Sequence, residues 1–177
     1  MKIALGKQKK GSIGVSFERH ESPGKLFVRD MKSEGILVRV AKEGELTARK
    51  LRTLVRSVTR FALSNNVKSL SISFANEYFK SVRKELGDEA FFSLVAENIV
   101  MANYNYTRYK SKPKAGFPSV DEVVITDEFG TKERARVASA LVRGTTIGKC
   151  VNDCRDLANT QGGDMTPTLL EKKKKKA

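Results

Sequence analysis

The sequence predicts an α/β fold in which strands and helices alternate and most strands run parallel. Three observations support this prediction. Residues 35–74 have a strand-helix-strand pattern, a helical pattern runs from about Thr131 to Leu157, and the hydrophobic share of 40% is enough for a buried core. The length of 177 residues favours one domain, or one domain and the start of a second.

The first 41 residues have the pattern of short strands joined by turns. Ser12 to Phe17 alternates in part, Ser22-Pro23-Gly24 is a turn signal, and Lys25 to Arg29 is a short apolar run. Gly35 to Ala41 is the strongest of these predicted strands, because it is rich in branched aliphatic residues.

A helix is expected after this strand. Thr47 is suited to cap its first turn, and its apolar residues recur at helical spacing on one face. Asn65-Asn66 predicts its end, because asparagine tolerates the left-handed conformation. Val67 to Phe74 then alternates like a strand. Residues 35–74 therefore form a β-α-β unit, which favours parallel strands and a right-handed crossover.

The second half of the chain is predicted to be mainly helical. One helix is expected over Glu77 to Leu86, and another after Gly87 with Asp88 as its cap. A strand over Val120 to Thr126 precedes the long helix, and Thr166-Pro167 has the usual pattern for the start of a last helix.

The net charge of +14 raises the possibility of a nucleic-acid partner. Five of the positive charges lie in the run Lys172 to Lys176, and the others are scattered among acidic residues. A solvated basic surface and a nucleic-acid-binding surface therefore both stay open. A similar choice applies to Tyr104 to Lys114. Its tyrosines and basic residues could bind bases and phosphates, or could pack a helix end against the sheet.

The segment Gly144 to Cys150 has only a partial likeness to a phosphate-binding loop. It has three residues between the glycines instead of four, and Cys150 replaces the Ser or Thr that would reach magnesium. Close packing of a neighbouring element against Gly144 and Gly148 is the simpler interpretation.

Other residue types give no sign of a catalytic or metal site. Cys150 and Cys154 are expected to be reduced thiols, and the one histidine, His20, is too little for a zinc site. Asp121-Glu122 and Asp127-Glu128 are expected to be solvated turn residues. We therefore predict no catalytic, cofactor-binding or metal-binding residue in this chain. No apolar run has the length of a membrane helix and the first residues are not a signal peptide, so we expect a cytoplasmic location and no membrane partner.

Three ordered segments resemble those of leucyl (cytosol) aminopeptidases. The family pattern of Asn, two residues, Arg-Asp-Leu, one residue, Asn-Thr, a short loop and Leu-Thr-Pro is matched by Asn152, Arg155, Asp156, Leu157, Asn159, Thr160, Thr166 and Pro167. Met165 stands where Leu is usual, and Gln161-Gly162 departs from the family's proline-containing loop. Gly35 to Ser71 and Tyr106 to Lys112 are similar to two earlier segments of the family.

This resemblance implies a macro-domain-like α/β fold with a mixed, largely parallel sheet flanked by helices. It implies an amino-terminal α/β domain at residues 1–130, and a long linker helix and loop toward a catalytic domain at 131–165. Residues 166–177 would be the truncated start of that catalytic domain with a lysine-rich tail. The lysines cannot supply the apolar face of a helix, so we expect a frame slip or a truncation there.

The resemblance also implies a function for the whole protein. Family members remove N-terminal amino acids from peptides with two divalent metals, zinc or manganese, in the catalytic domain. The motifs of that metal site do not occur here, so we expect this chain alone to be no enzyme and to hold no cofactor. The resemblance implies a hexamer for the full-length form, with its own catalytic domain as a partner and DNA as a candidate partner.

Two alternatives to this function stay open. The chain could be a stand-alone basic module that binds nucleic acid. It could also be a macrodomain-like nucleotide binder, although that function would need a Gly-rich phosphate loop at a strand-to-helix junction.

Overall fold

The computed structural model describes residues 1–19, 27–32, 35–40 and 46–174. His20, the turn predicted at Ser22-Pro23-Gly24, Ala41, Lys175 and Lys176 lie outside the described residues. The strands are β1 (Lys2–Leu5), β2 (Ile13–Arg19), β3 (Phe27–Lys32), β4 (Gly35–Val40), β5 (Ser69–Ile72) and β6 (Glu122–Ile125). The helices are α1 (Ala48–Ser64), α2 (Glu77–Leu86), α3 (Asp88–Ala102), α4 (Thr131–Asn159) and α5 (Pro167–Lys174).

These strands form one mixed sheet in the order β1-β6-β5-β2-β4-β3. Four neighbouring pairs are parallel, and the pair of β3 with β4 is antiparallel. The predicted α/β fold with a largely parallel sheet is therefore confirmed. The β-α-β unit over residues 35–74 has the expected strand direction, but β2 lies between β4 and β5 in the sheet.

The sheet has one apolar face and one polar face, because side chains alternate along each strand. Ile36 and Val38 of β4 and Leu70 and Ile72 of β5 point to the apolar face and belong to the buried core. On the opposite face, mostly small and polar residues line a shallow depression of about 680 Å³. Its lining residues are Gln8, Gly14, Val15, Ser16, Glu18, Gly35, Leu37, Arg39, Ser71, Ser73 and Thr126.

The bounds of α1 follow the predicted signals. The side chain of Thr47 accepts a hydrogen bond from the backbone N–H of Lys50 at 3.3 Å, which confirms it as the cap. Asn66 has a φ of 55°, so it takes the left-handed conformation that the Asn65-Asn66 pair predicted. One face of α1, including Leu51, Leu54 and Val58, is buried in the core.

Helix α2 has the predicted bounds, but the start of α3 differs in one detail. Gly87, with a φ of 73°, occupies the cap position that we expected for Asp88, and Asp88 is the first residue of α3. The carboxylate of Asp88 instead accepts a hydrogen bond from Nε of Arg83 at 2.8 Å. The positive φ explains the difference, because glycine adopts it without steric cost.

Helix α3 is buried on all sides, since eleven of its fifteen residues are buried. Helix α4 packs against it and adds Val137, Ala140 and Leu141 to the same core as the sheet. The packing is close at two glycines. A methyl group on Gly144 would lie 2.0 Å from the carbonyl oxygen of Ser93, and one on Gly148 would lie 2.7 Å from Cβ of Val100. The predicted close packing at these glycines is therefore confirmed.

None of the described helices combines the length and the apolar character that crossing a membrane requires.

Candidate functional site

The end of α4 is held by three tyrosines from the segment that follows α3, here called the tyrosine clamp (Tyr104, Tyr106 and Tyr109). The hydroxyl group of Tyr104 donates to Oδ1 of Asp156 at 2.8 Å and accepts from the side-chain amide of Asn159 at 3.2 Å. Two segments that the sequence analysis singled out separately therefore meet, although more than 50 residues separate them.

The rest of the clamp holds the loop after α4. The hydroxyl group of Tyr109 donates to Oδ2 of Asp164 at 2.6 Å and accepts from the backbone N–H of Gln161 at 3.0 Å. Tyr106 makes a longer contact of 3.4 Å to Oγ1 of Thr160, and its ring packs edge-on against that of Tyr109. The clamp thus fixes the direction in which the chain leaves α4.

Arg155 and Asn152 attach the same part of α4 to the end of α3. Nη1 of Arg155 donates to the carbonyl oxygen of Met101 at 2.9 Å and to Oδ1 of Asn152 at 3.2 Å. The amide of Asn152 donates to the carbonyl oxygen of Val100 at 3.1 Å. These side chains satisfy two carbonyl groups at the end of α3, which lack partners within their own helix.

This geometry corrects the interpretation in which the segment Tyr104 to Lys114 packs a helix end against the sheet. The tyrosine hydroxyl groups are committed to α4 and to the loop after it, and the face of Tyr104 is covered by the guanidinium of Arg155 at 5.6 Å. Packing against the sheet would put the ring at the centre of the contact. The contacts that hold the segment here are instead hydroxyl hydrogen bonds to distant side chains, which residue spacing does not reveal.

The clamp should weaken at high pH. The hydrogen bond to Asp164 raises the pKa of Tyr109 above its ordinary value of 10, and burial raises the pKa of Tyr104. A phenol with a raised pKa stabilises the fold below its ordinary value, and this contribution is lost as the pH rises through the raised pKa. We expect tyrosine absorbance near 295 nm to show ionisation above the ordinary range, and Asp164→Asn to lower the pKa of Tyr109. An identical titration curve for Asp164→Asn would contradict this assignment.

A second cluster lies where β5 and β6 end, at the edge where α/β proteins often bind ligands. Asp127 is buried, with 6% exposure, which corrects the prediction that Asp127-Glu128 is a solvated turn. Its carboxylate accepts from the backbone N–H of Phe74 at 2.6 Å and from Oγ of Ser73 at 2.9 Å, and it pairs with Nη1 of Arg83 at 3.1 Å. The prediction holds for Glu128, which is exposed.

Arg83 occupies an aromatic environment beside this pair. Its guanidinium lies 5.2 to 5.9 Å from the ring centres of Phe91, Phe92 and Phe129. Such contacts attract a cation electrostatically and shield the ion pair from water. The cluster therefore joins the ends of two strands to α2 and α3. The carboxylate of Asp127 is engaged in these structural contacts.

Other residues from the sequence analysis lie apart from these clusters. Gly144 to Cys150 is helical, so it cannot wrap around a phosphate as a loop, and Cys150 and Cys154 are free and exposed. Glu122 pairs with Lys9 at 2.5 Å, and Asp121 accepts from Ser119 at 2.8 Å. Among the described residues, no group of three or more His, Cys, Asp or Glu side chains is placed to hold a metal ion.

A third feature is a depression of about 450 Å³ between α1 and the end of α4. Three arginines line it, Arg56 and Arg60 from α1 and Arg155 from α4, together with Met101, Ala102, Tyr104 and Asn159. Sequence reasoning did not find this group, although the spacing of Arg56 and Arg60 places both on one face of a helix.

Comparison with known proteins identifies the part of a protein family that this chain resembles. The profile of the cytosol aminopeptidase family, N-terminal domain, matches residues 36–113. A probable cytosol aminopeptidase of Koribacter versatilis is 29% identical over 150 residues, which cover 80% of this chain and 28% of that protein. A probable cytosol aminopeptidase of Burkholderia thailandensis is 25% identical over a region that covers 94% of this chain and 34% of that protein. The chain thus spans about a third of the length of these relatives.

Two solved structures have a fold similar to that of this chain. A mutant of tomato leucine aminopeptidase superimposes on this chain with a TM-score of 0.72 and 13% identity. The matched region covers 99% of this chain and 42% of the tomato chain. A bottromycin maturation enzyme in complex with Mn superimposes with a TM-score of 0.63 and 16% identity. The matched region covers 93% of this chain and 35% of the enzyme's chain. The family profile, the relatives and the fold agree with the resemblance seen in the sequence motifs, and this chain is similar to the amino-terminal part of cytosol aminopeptidases.

Proposed function

We propose that this chain is the non-catalytic amino-terminal part of a leucyl-aminopeptidase-like metallo-exopeptidase. The full-length protein would remove N-terminal amino acids from peptides, with two divalent metals, zinc or manganese, bound outside the region described here. It would act in the cytoplasm as a hexamer. The observation that carries the proposal is the match of residues 36–113 to the amino-terminal-domain profile, together with relatives named as probable cytosol aminopeptidases.

The use of the carboxylates supports a structural role for this part. Asp127 is bound to Arg83 and to the backbone of Phe74, and Asp156 and Asp164 accept hydrogen bonds from Tyr104 and Tyr109. A metal ligand or general base needs a carboxylate that is free to meet a metal or substrate. Each of these carboxylates instead holds two elements of the fold together.

An assay of the chain by itself tests the non-catalytic assignment. We expect no hydrolysis of leucine p-nitroanilide above the buffer rate with either Zn²⁺ or Mn²⁺, while a full-length cytosol aminopeptidase measured in parallel hydrolyses it. Titration calorimetry with each metal should show no tight binding. Saturable hydrolysis by this chain that a chelator removes would overturn the assignment.

The identity of the whole protein needs a separate test. Sequencing the transcript downstream of the Lys172 codon should reveal, in frame or one base out, the Lys, Asp and Glu motifs of a two-metal peptidase. A different, well-formed domain there would contradict the peptidase proposal while leaving the family of this domain unchanged.

A further inference from the structure

The depression between α1 and the end of α4 has the composition of an anion site. We infer that it binds a small molecule through a phosphate group, which Arg56, Arg60 and Arg155 hold together. This inference is independent of the peptidase proposal, because it concerns only contacts within this chain.

The three arginines line one depression, and none of them has a carboxylate partner among the described residues. None of the ion pairs formed among the described residues involves Arg56, Arg60 or Arg155. Helix α1 carries five basic residues and no acidic residue. Arg52, Arg56 and Arg60 follow one another at intervals of four, a spacing at which like charges destabilise a helix. A bound anion would remove this repulsion.

Two of the arginines are held in position by neutral groups. Nε of Arg56 donates to Oδ1 of Asn98 at 2.6 Å, and Asn98 is itself completely buried and donates to the carbonyl oxygen of Leu94 at 2.8 Å. Arg155 is fixed by its Nη1 bonds and lies over the ring of Tyr104. One part of each guanidinium is thus anchored, and other N–H groups remain available to a ligand. Fixed donors bind more tightly, because less conformational freedom is lost on binding.

The chemistry of these donors indicates a phosphate group. A guanidinium presents paired N–H groups that match the oxygens of phosphate, and such charge-assisted bonds are stronger than neutral ones. Three positive charges exceed the one negative charge of Asp156, which is bonded to Tyr104 of the lining, and the partial negative charge of about −0.5 at the end of α3, so a dianion is attracted. The depression of about 450 Å³ is larger than a phosphate ion, which leaves room for the molecule that carries it.

Nucleic acid is the less favoured ligand at this place. The ring of Tyr104 is covered on one face by Arg155, and its hydroxyl group is engaged by Asp156 and Asn159. The site therefore offers local phosphate binding rather than the stacking platform and extended basic groove that single strands require.

Titration calorimetry of the whole chain with inorganic phosphate and with pyrophosphate, at constant ionic strength, tests the inference. We expect saturable binding at one site per chain. Arg60→Gln should weaken it about tenfold or more, because a charge-assisted contact is lost. Arg60 makes no hydrogen bond or ion pair among the described residues, so this variant should fold normally. Arg49→Gln is the matched control, since it removes the same charge from an exposed position of α1 outside the depression.

The unfolding temperature separates a ligand site from a structural role. Without phosphate, Arg60→Gln should unfold at the same temperature as the parent chain or higher, and phosphate should raise the value for the parent alone. No saturation up to about 10 mM phosphate would overturn the inference. So would equal weakening by Arg49→Gln and Arg60→Gln, or binding confined to a single-stranded oligonucleotide with steep salt dependence, since both indicate a diffuse basic surface.

Discussion

Replacing Gly144 with alanine is expected to lower the free energy of unfolding by about 2–3 kcal/mol. Alanine normally stabilises a helix by about 1 kcal/mol relative to glycine. The expected change in stability is therefore opposite in sign to the change that helix propensity alone predicts. The reason is that the added methyl group would lie 2.0 Å from the carbonyl oxygen of Ser93, and this atom belongs to the backbone of α3 and cannot rotate away. The two helices would have to move apart. Urea unfolding followed by circular dichroism measures the change.

Gly162→Ala is the control for this substitution. Gly162 lies in the loop after α4 and has no atom within 4 Å of the position of an added Cβ. We expect its unfolding free energy to change by no more than about 0.5 kcal/mol. If Gly144→Ala stabilised the chain as much as a helix propensity scale predicts, α3 and α4 could not be in contact at this position.

Replacing Asp127 with alanine should destabilise the fold by about 3–5 kcal/mol, because it leaves Arg83 without a buried partner. Arg83 keeps its bond to the more exposed Asp88 and its contacts with the phenylalanine rings. The backbone N–H of Phe74 also loses its acceptor in a buried position. Thermal and urea unfolding of the purified chain at neutral pH provide the measurement.

Two further variants separate charge from hydrogen bonding at this position. Asp127→Asn keeps an oxygen that can accept from Phe74 and Ser73 but removes the ion pair, so an intermediate loss is expected. Glu128→Ala removes the same charge from the exposed neighbouring residue, and a change below about 0.5 kcal/mol is expected. Equal losses for Asp127→Ala and Glu128→Ala would indicate a general charge effect instead of a buried pair.

Local patterns were sufficient to predict most of the elements of this fold. Helix α2 has the predicted bounds, α4 ends at Asn159 instead of Leu157, and Thr47 and Asn66 act as the predicted start and stop signals of α1. These features depend on neighbouring residues in the sequence, on caps and on periodicity. The order of the strands in the sheet depends instead on contacts between distant residues. The position of β2 between β4 and β5 was therefore not predicted.

The candidate sites were the least predictable part. The sequence predicts Asp127 as one of a pair of turn residues, because its partner Arg83 is 44 residues away and leaves no local signal. The hydroxyl contacts of the tyrosine clamp and the convergence of Arg155 with Arg56 likewise depend on how α4 packs. Only the close packing at Gly144 and Gly148 was predicted, because glycines four apart on a helix indicate it directly.

The length of α4 gives its packing a mechanical meaning. Its 29 residues extend about 43 Å, and Gly144 lies about 22 Å from the end at Asn159. A rotation of the helix about its close contact with α3 would move its far end. A tilt of about 10° at that contact would displace the far end by about 4 Å, given the rise of a helix. The alignment of the chain after α4 thus depends on the absence of a side chain at Gly144, half a helix away.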